Sequence, residues 1–123
     1  HHYIADDNLI MRSIESDIAL TRDYIINHLH TALTVCGLSE MFSMADSTLR
    51  RHFYLQYKIS IHRFILQQRM ERAMLLLKQR HYPINEIAAQ VGYHELSNFS
   101  HAFKKYFGVS PSTISKLQMQ NSH

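Results

Sequence analysis

The chain is short of the residues that break helices. Its 123 residues include three glycines and two prolines. That leaves little turn material, which favours helices over many short strands. A single cysteine, Cys36, excludes an internal disulfide and fits a reducing, cytoplasmic setting. No apolar run approaches the ~20 residues of a membrane span, and no signal peptide opens the chain. Also missing are a carboxylate pair, a glycine-rich phosphate loop and a nucleophile elbow, so an enzyme is not expected. Cys36 has no evident partner base. Ten histidines invite a metal, yet His28 and His30 point apart on a helix and nothing completes a site with Cys36, so neither metal nor other cofactor is expected.

The composition is otherwise that of one globular domain, or of two very small ones, with 46% hydrophobic residues. The net charge of +3 is unevenly spread. Residues 1–45 hold two basic groups and six acidic ones, whereas residues 46–123 hold eleven basic and four acidic. The later part therefore suits a polyanion partner.

Ile84–Gly108 carries the clearest pattern. Ile84, Ile87, Ala88 and Val91 form one apolar stripe of a short helix, and Gly92 follows where the chain must turn. A second helix starts near Glu95. Phe99, Ala102, Phe103 and Tyr106 recur on one side of it, and Ser97, Ser100, His101 and Lys104 on the other. Two short helices joined by a glycine turn, the second with a polar outer stripe, describe a helix-turn-helix. A plain helical hairpin gives the same local pattern.

His1 and His2 read as the tail of a purification tag, and residues 3–15 as a linker or fraying helix. A helix follows from about Asp17, capped by Ser16 or Asp17, with Ile18, Tyr24 or Ile25, Leu29 and Leu33 on one side. Thr34 is placed to cap a short helix carrying Val35, Leu38, Met41 and Phe42. Helices are expected at about 46–57 and 61–80. Ser60 caps the latter, which buries Ile61, Phe64, Ile65, Ala73, Leu76 and Leu77, and Pro83 bars its continuation. Ser110 and Pro111 open a last helix, which frays from about Gln118.

An internal repeat emerges from this order. Val35, Leu38, Ser39, Phe42 and Ser43 match Ile84, Ile87, Ala88, Val91 and Gly92 at an offset of 49. Leu49, Phe53, Tyr57, Ile59, Ser60 and Phe64 match Phe99, Phe103, Phe107, Val109, Ser110 and Ile114 at an offset of 50. Ser47, Arg50, Arg51 and Tyr54 then fall where Ser97, Ser100, His101 and Lys104 fall. The expected organisation is all-α: a first helix-turn-helix over 16–58, a linking helix over 59–82, a second helix-turn-helix over 83–118 and a frayed tail over 119–123. A linking helix of ~20 residues spans about 30 Å, close to the ~34 Å between successive major grooves on one face of a duplex.

The chain resembles the DNA-binding domain of the AraC/XylS family of bacterial transcription regulators over roughly residues 17–118. The resemblance rests on Arg69-Met70-Glu71-Arg72-Ala73 with Leu76-Leu77, then Ile84, Ile87-Ala88, Val91-Gly92-Tyr93, Phe99, Phe103-Lys104, Phe107-Gly108 and Ser110-Pro111. It implies seven helices in two helix-turn-helix subdomains, double-stranded DNA as partner, activation of transcription, and contact with RNA polymerase. It also implies a separate effector-binding or dimerisation domain, for which this chain has no room; the sequence therefore reads as a cut-out domain or a short stand-alone member.

Matching positions supply the candidate DNA-contacting residues. Arg50 and Arg51 suit bidentate contact to guanine O6 and N7, with Ser47 as a shorter reader. Ser97, Asn98, Ser100 and His101 form the second set, built of weaker readers. Tyr54, Lys104 and Lys105 sit further along and suit phosphate or water. The first copy departs from the second at two turns: Ser43 stands for Gly92, and Lys58 for Gly108. A left-handed residue at Lys58 costs about 1–2 kcal/mol, so the first copy is expected to be looser or its helix to end differently. A helical module that grips a protein partner, with DNA binding lost, is the rival reading.

Overall fold

The computed structural model describes the backbone of residues 2–121 and the side chains of 7–117. Among them it has seven helices and no strand: α1 (His2–Asn27), α2 (Val35–Met41), α3 (Asp46–Tyr57), α4 (Ile61–Gln79), α5 (Ile84–Gln90), α6 (Leu96–Phe107) and α7 (Pro111–Asn121). None is long and apolar enough to cross a membrane.

Most helix boundaries sit where the sequence places them; the start of α1 does not. Residues 3–15 lie inside α1, the helical of the two alternatives, and Ser16 and Asp17 are passed without a break instead of capping it. No glycine or proline interrupts this stretch, and nothing else forces a stop. Helix α7 continues to Asn121. His1 and residues 122–123 lie outside the described residues.

Contacts divide the chain into two compact units. One takes the chain through His28 together with Leu33–Ile65; the other takes Leu29–Ala32 and everything from Leu66 onward. Helix α4 thus contributes residues to both units.

In the first unit α1 packs on α3, and α3 on α2. Ile18, Ile25, Leu38, Leu49, Phe53 and Ile61 are its fully enclosed side chains. Phe53 meets Phe64 at 5.3 Å and Tyr57 at 5.0 Å between ring centroids. The Arg22 guanidinium lies 5.4 Å from the Tyr57 ring centre and 5.6 Å from that of Phe64. Thr21 is buried yet satisfied, since its hydroxyl donates to the Asp17 carbonyl at 2.7 Å. Met41, expected on the apolar side of α2, is 49% exposed because the helix ends there and the chain turns away.

In the second unit the core joins Met70, Ala73 and Leu77 of α4 to Ile87, Ala88 and Val91 and to Phe99 and Phe103 of α6. Each large side chain enclosed this way contributes about 1.5–3 kcal/mol. Leu76 is only partly buried against this core, and Met70, absent from the expected buried side, is fully enclosed. An aromatic run, Tyr93–Phe99–Phe103–Phe107, continues along α6 with centroid spacings of 5.7, 5.8 and 4.7 Å.

Candidate nucleic-acid interface

The two helix pairs, α2–α3 and α5–α6, turn in the same way. After α2, Ser43 N–H donates to the Glu40 carbonyl at 3.2 Å and Met44 N–H to the Ser39 carbonyl at 2.9 Å. After α5, Gly92 N–H donates to Ala89 at 3.1 Å and Tyr93 N–H to Ala88 at 2.9 Å. Both are Schellman turns, whose pivot residue must be left-handed. Gly92 adopts φ 93°, and Ser43 does the same job at φ 54° against the preference of a residue with a Cβ.

The second helices also end alike. Lys58 caps α3 at φ 61° and Gly108 caps α6 at φ 83°, each N–H donating to a carbonyl four residues back at 2.7 Å. Lys58 therefore takes the left-handed geometry itself, and the alternative of a different helix ending does not occur. Ser60 and Ser110 then accept from the N–H groups of Arg63 and Thr113, at 3.2 and 3.3 Å. The repeat read in the sequence is a repeat of backbone geometry.

This shared frame sets the outward faces. On α3, Leu49 and Phe53 are fully enclosed, which turns Ser47, Arg50, Arg51 and Tyr54 outward, all exposed. Neither Arg50 nor Arg51 has an ion-pair partner among the described residues. Two cations left unpaired on one helical face attract phosphate or the acceptor edge of guanine. On α6, Phe99 and Phe103 are enclosed, and Ser97, His101 and Lys104 are exposed with Ser100 half-buried between them. Asn98 and Lys105 are exposed too, but the helical step of about 100° sets them on a flank rather than in the stripe. The structure therefore gathers each candidate set on its own helix, Asn98 being the outlier.

Of the four helices in the two pairs, only α2 has a side-chain N-cap, and Pro83 supplies none to α5. Thr34 caps α2 by accepting from Gly37 N–H at 3.0 Å, whereas Ala45 and Glu95 supply no side-chain cap to α3 and α6. The open N–H groups favour an anion there. Asp46 and Glu95 place a carboxylate beside them and oppose it, so basic side chains, not helix ends, are the better phosphate contacts. Ser39, buried under the first turn, has its hydroxyl within hydrogen-bond distance of Asp46 Oδ1 and thereby ties α2 to α3.

One residue behind the interface has a role the sequence pattern did not reveal. Arg69 of α4 donates from Nη2 to the Thr31 carbonyl at 2.8 Å, and its guanidinium lies 5.9 Å from the Tyr93 ring centre. It joins the segment after α1 to the turn that sets α6. Burial pulls its guanidinium below the ordinary range, with Tyr93 partly offsetting, and burial pushes the Tyr93 hydroxyl up, with Arg69 offsetting. Elsewhere the chemistry is quiet. The exposed Cys36 thiol is raised by the Glu40 carboxylate first and Asp46 second, which disfavours the nucleophilic thiolate. His52 is half-buried beside Met11, Glu15 and Leu55. No group of histidine, cysteine or carboxylate side chains among the described residues is arranged to hold a metal.

Residues 38–116 match a family described as a helix-turn-helix domain. The transcriptional activator AggR of Escherichia coli is 30% identical over 90 residues, covering 73% of this chain and 34% of that protein. Among solved structures, the C-terminal domain of AraT, a response regulator from Geobacillus stearothermophilus, is 34% identical with a TM-score of 0.78, covering 82% of this chain and 84% of that one. The DNA-binding domain of AdpA, solved in complex with a target DNA, has the same TM-score of 0.78 at 22% identity, covering 85% of this chain and 94% of that one, and so shares the fold. The chain spans about a third to two-fifths of the length of the curated relatives it matches.

Proposed function

This chain belongs to the AraC-type helix-turn-helix family of DNA-binding transcription regulators, which are not enzymes, and from that premise we propose that it reads specific double-stranded DNA with α3 and α6 in successive major grooves. The observation that carries the reading is the repeated frame: two Schellman turns and two left-handed caps present the outer stripes of α3 and α6 in the same way. The division of roles follows from reach. Arg50 and Arg51 carry long, bidentate donors and read bases, with Ser47 beside them. Ser97, Ser100 and His101 read from α6 with shorter or weaker groups, and Asn98 contributes from its flank. Tyr54, Lys104 and Lys105 hold phosphate.

The regulator activates bacterial transcription, as its relative AggR is named for doing, and contacts RNA polymerase while bound. In a longer parent this domain follows an effector-binding or dimerisation domain. The relatives are longer than the match, and the matched part of AraT is a C-terminal domain. On this reading residues 16–58 and 83–118 are the two DNA-reading subdomains.

A gel shift tests the reading, first with random-sequence duplex and then with a pool selected for tight binding. A selected sequence that outcompetes random duplex at physiological salt is the expected result. Equal binding to both overturns specific reading. Absence of binding to either favours a helical protein-interaction module that has kept the family's frame.

A further inference from the structure

Leu96 is the first residue of α6, and 45% of its surface is exposed. It is not one of the buried side chains that form the core behind that helix. By the helical step it lies about 40° from Ser100 but about 20° from both Phe103 and Phe107, at the border between the polar stripe and the aromatic face. A half-exposed aliphatic side chain therefore stands at the edge of the polar stripe, at the N-terminal end of the helix, whose first residues reach the base edges.

The first unit shows what this position does when it is structural. At the repeat offset of 50 Leu96 matches Asp46, and Asp46 is held by Ser39 of the preceding helix. The residue matching Ser39 is Ala88, which offers no side-chain bond. The position in α6 has thus lost its structural tie and carries a side chain that cannot hydrogen-bond. Against a guanine–cytosine pair such a side chain would strip water from O6, N7 and N4–H without replacing a bond. One feature of the major-groove floor is apolar, the C5-methyl group of thymine.

Resting on the reading above, we propose that Leu96 is a specificity-determining residue that packs on a thymine methyl group in the half-site read by α6. It selects an adenine–thymine pair by apolar contact, where Arg50 and Arg51 select by hydrogen bonding. The second recognition helix is then not an empty reader with short polar groups. Its discrimination is of a different kind, and it responds to the loss of one methyl group.

The test uses the tightest duplex selected from a random library. Each thymine is replaced in turn by deoxyuridine, which removes the methyl and keeps the pairing. Affinity is measured for the wild-type chain and for Leu96→Ala, with thermal melting of both proteins in parallel. At one thymine, deoxyuridine should weaken the wild type about fourfold, the worth of one buried methyl-sized group. Leu96→Ala should bind the parent duplex more weakly and lose most of its response at that position. A 5-methylcytosine placed there should recover part of the wild-type affinity lost on changing the pair to guanine–cytosine. If no thymine shows a response that depends on Leu96, the inference is wrong while specific reading stands. Failure of the selection to enrich any sequence overturns both.

Discussion

Gly92 faces the carbonyl oxygen of Leu29 so closely that a Cβ on it would stand 2.4 Å from that oxygen and 2.8 Å from Arg69 Nη2. Its φ of 93° is unsuited to a side chain as well. Two independent constraints therefore meet at the turn of the second helix pair. The oxygen is backbone and has no rotamer by which to move aside. Gly92→Ala should cost about 2–5 kcal/mol, combining left-handed strain with overpacking. Gly108 has a similar φ of 83° but open space around it, so Gly108→Ala should cost only about 1 kcal/mol. Chemical denaturation of the two variants checks the order; equal losses would mean that the Leu29 contact is relieved at no cost.

The matching positions in the first unit run the other way. Ser43 and Lys58 hold left-handed φ values of 54° and 61° with side chains attached, and both side chains are exposed. Replacing either by glycine removes the strain and gives up no buried contact. Ser43→Gly and Lys58→Gly should each stabilise by about 1 kcal/mol, the strain relief less the extra freedom of an unfolded glycine. Melting temperatures that fall instead would show that these side chains make contacts that outweigh the strain.

Ala73 is completely enclosed between α4 and the second helix pair. Ala73→Asp should destabilise the fold by about 3–5 kcal/mol at neutral pH, because the introduced carboxylate has no partner there. Burial raises the folded pKa of that carboxyl above its unfolded value of about 3.9. The neutral form is tolerated best, so the deficit relative to wild type should shrink as pH falls toward 4 and grow as pH rises through the folded pKa. Denaturation of wild type and variant across that pH range measures it; a pH-independent difference would indicate a purely steric cost.

The excess of basic groups after residue 45 sets the salt dependence. With about six phosphates neutralised, log K against log salt should fall with a slope near −5, from about −0.9 per phosphate. Fluorescence anisotropy on one duplex at several salt concentrations gives the slope. A flat line would remove the phosphate contacts assigned to the lysines and arginines.

The arginine and lysine contacts separate by their effect on sequence preference. Arg50→Ala or Arg51→Ala should cost about 1–3 kcal/mol on the best duplex and relax the base preference in one half of it. Ser100→Ala should cost less and similarly on all sequences. Lys104→Ala should weaken binding evenly and reduce the salt slope by about one. A saturation scan of the duplex with each variant decides; unchanged base preference in both arginine variants would reassign them to phosphate.

The periodicities in the sequence were enough to place seven helices and to pair them as a repeat. Helical faces and caps are local properties, written in residues three or four apart. Leu49 and Phe53 turn inward, Arg50 and Arg51 outward, and Thr34, Ser60 and Ser110 cap as their positions dictate. The outer stripes were legible for the same reason. The start of α1 was not, because a polar, acidic stretch without glycine or proline carries no strong local signal either way.

What the sequence alone determined is the set of elements, their duplication and the polarity of each face, since all three depend on neighbours along the chain. Only the tertiary structure decided how the second turn is held. Arg69 reaches a carbonyl 38 residues away, and the Leu29 carbonyl closes over Gly92. Only it showed that Ser39 engages Asp46, while the matching pair, Ala88 and Leu96, leaves an exposed leucine at the head of α6. These relationships join atoms through space across many residues of chain, and no periodicity records them.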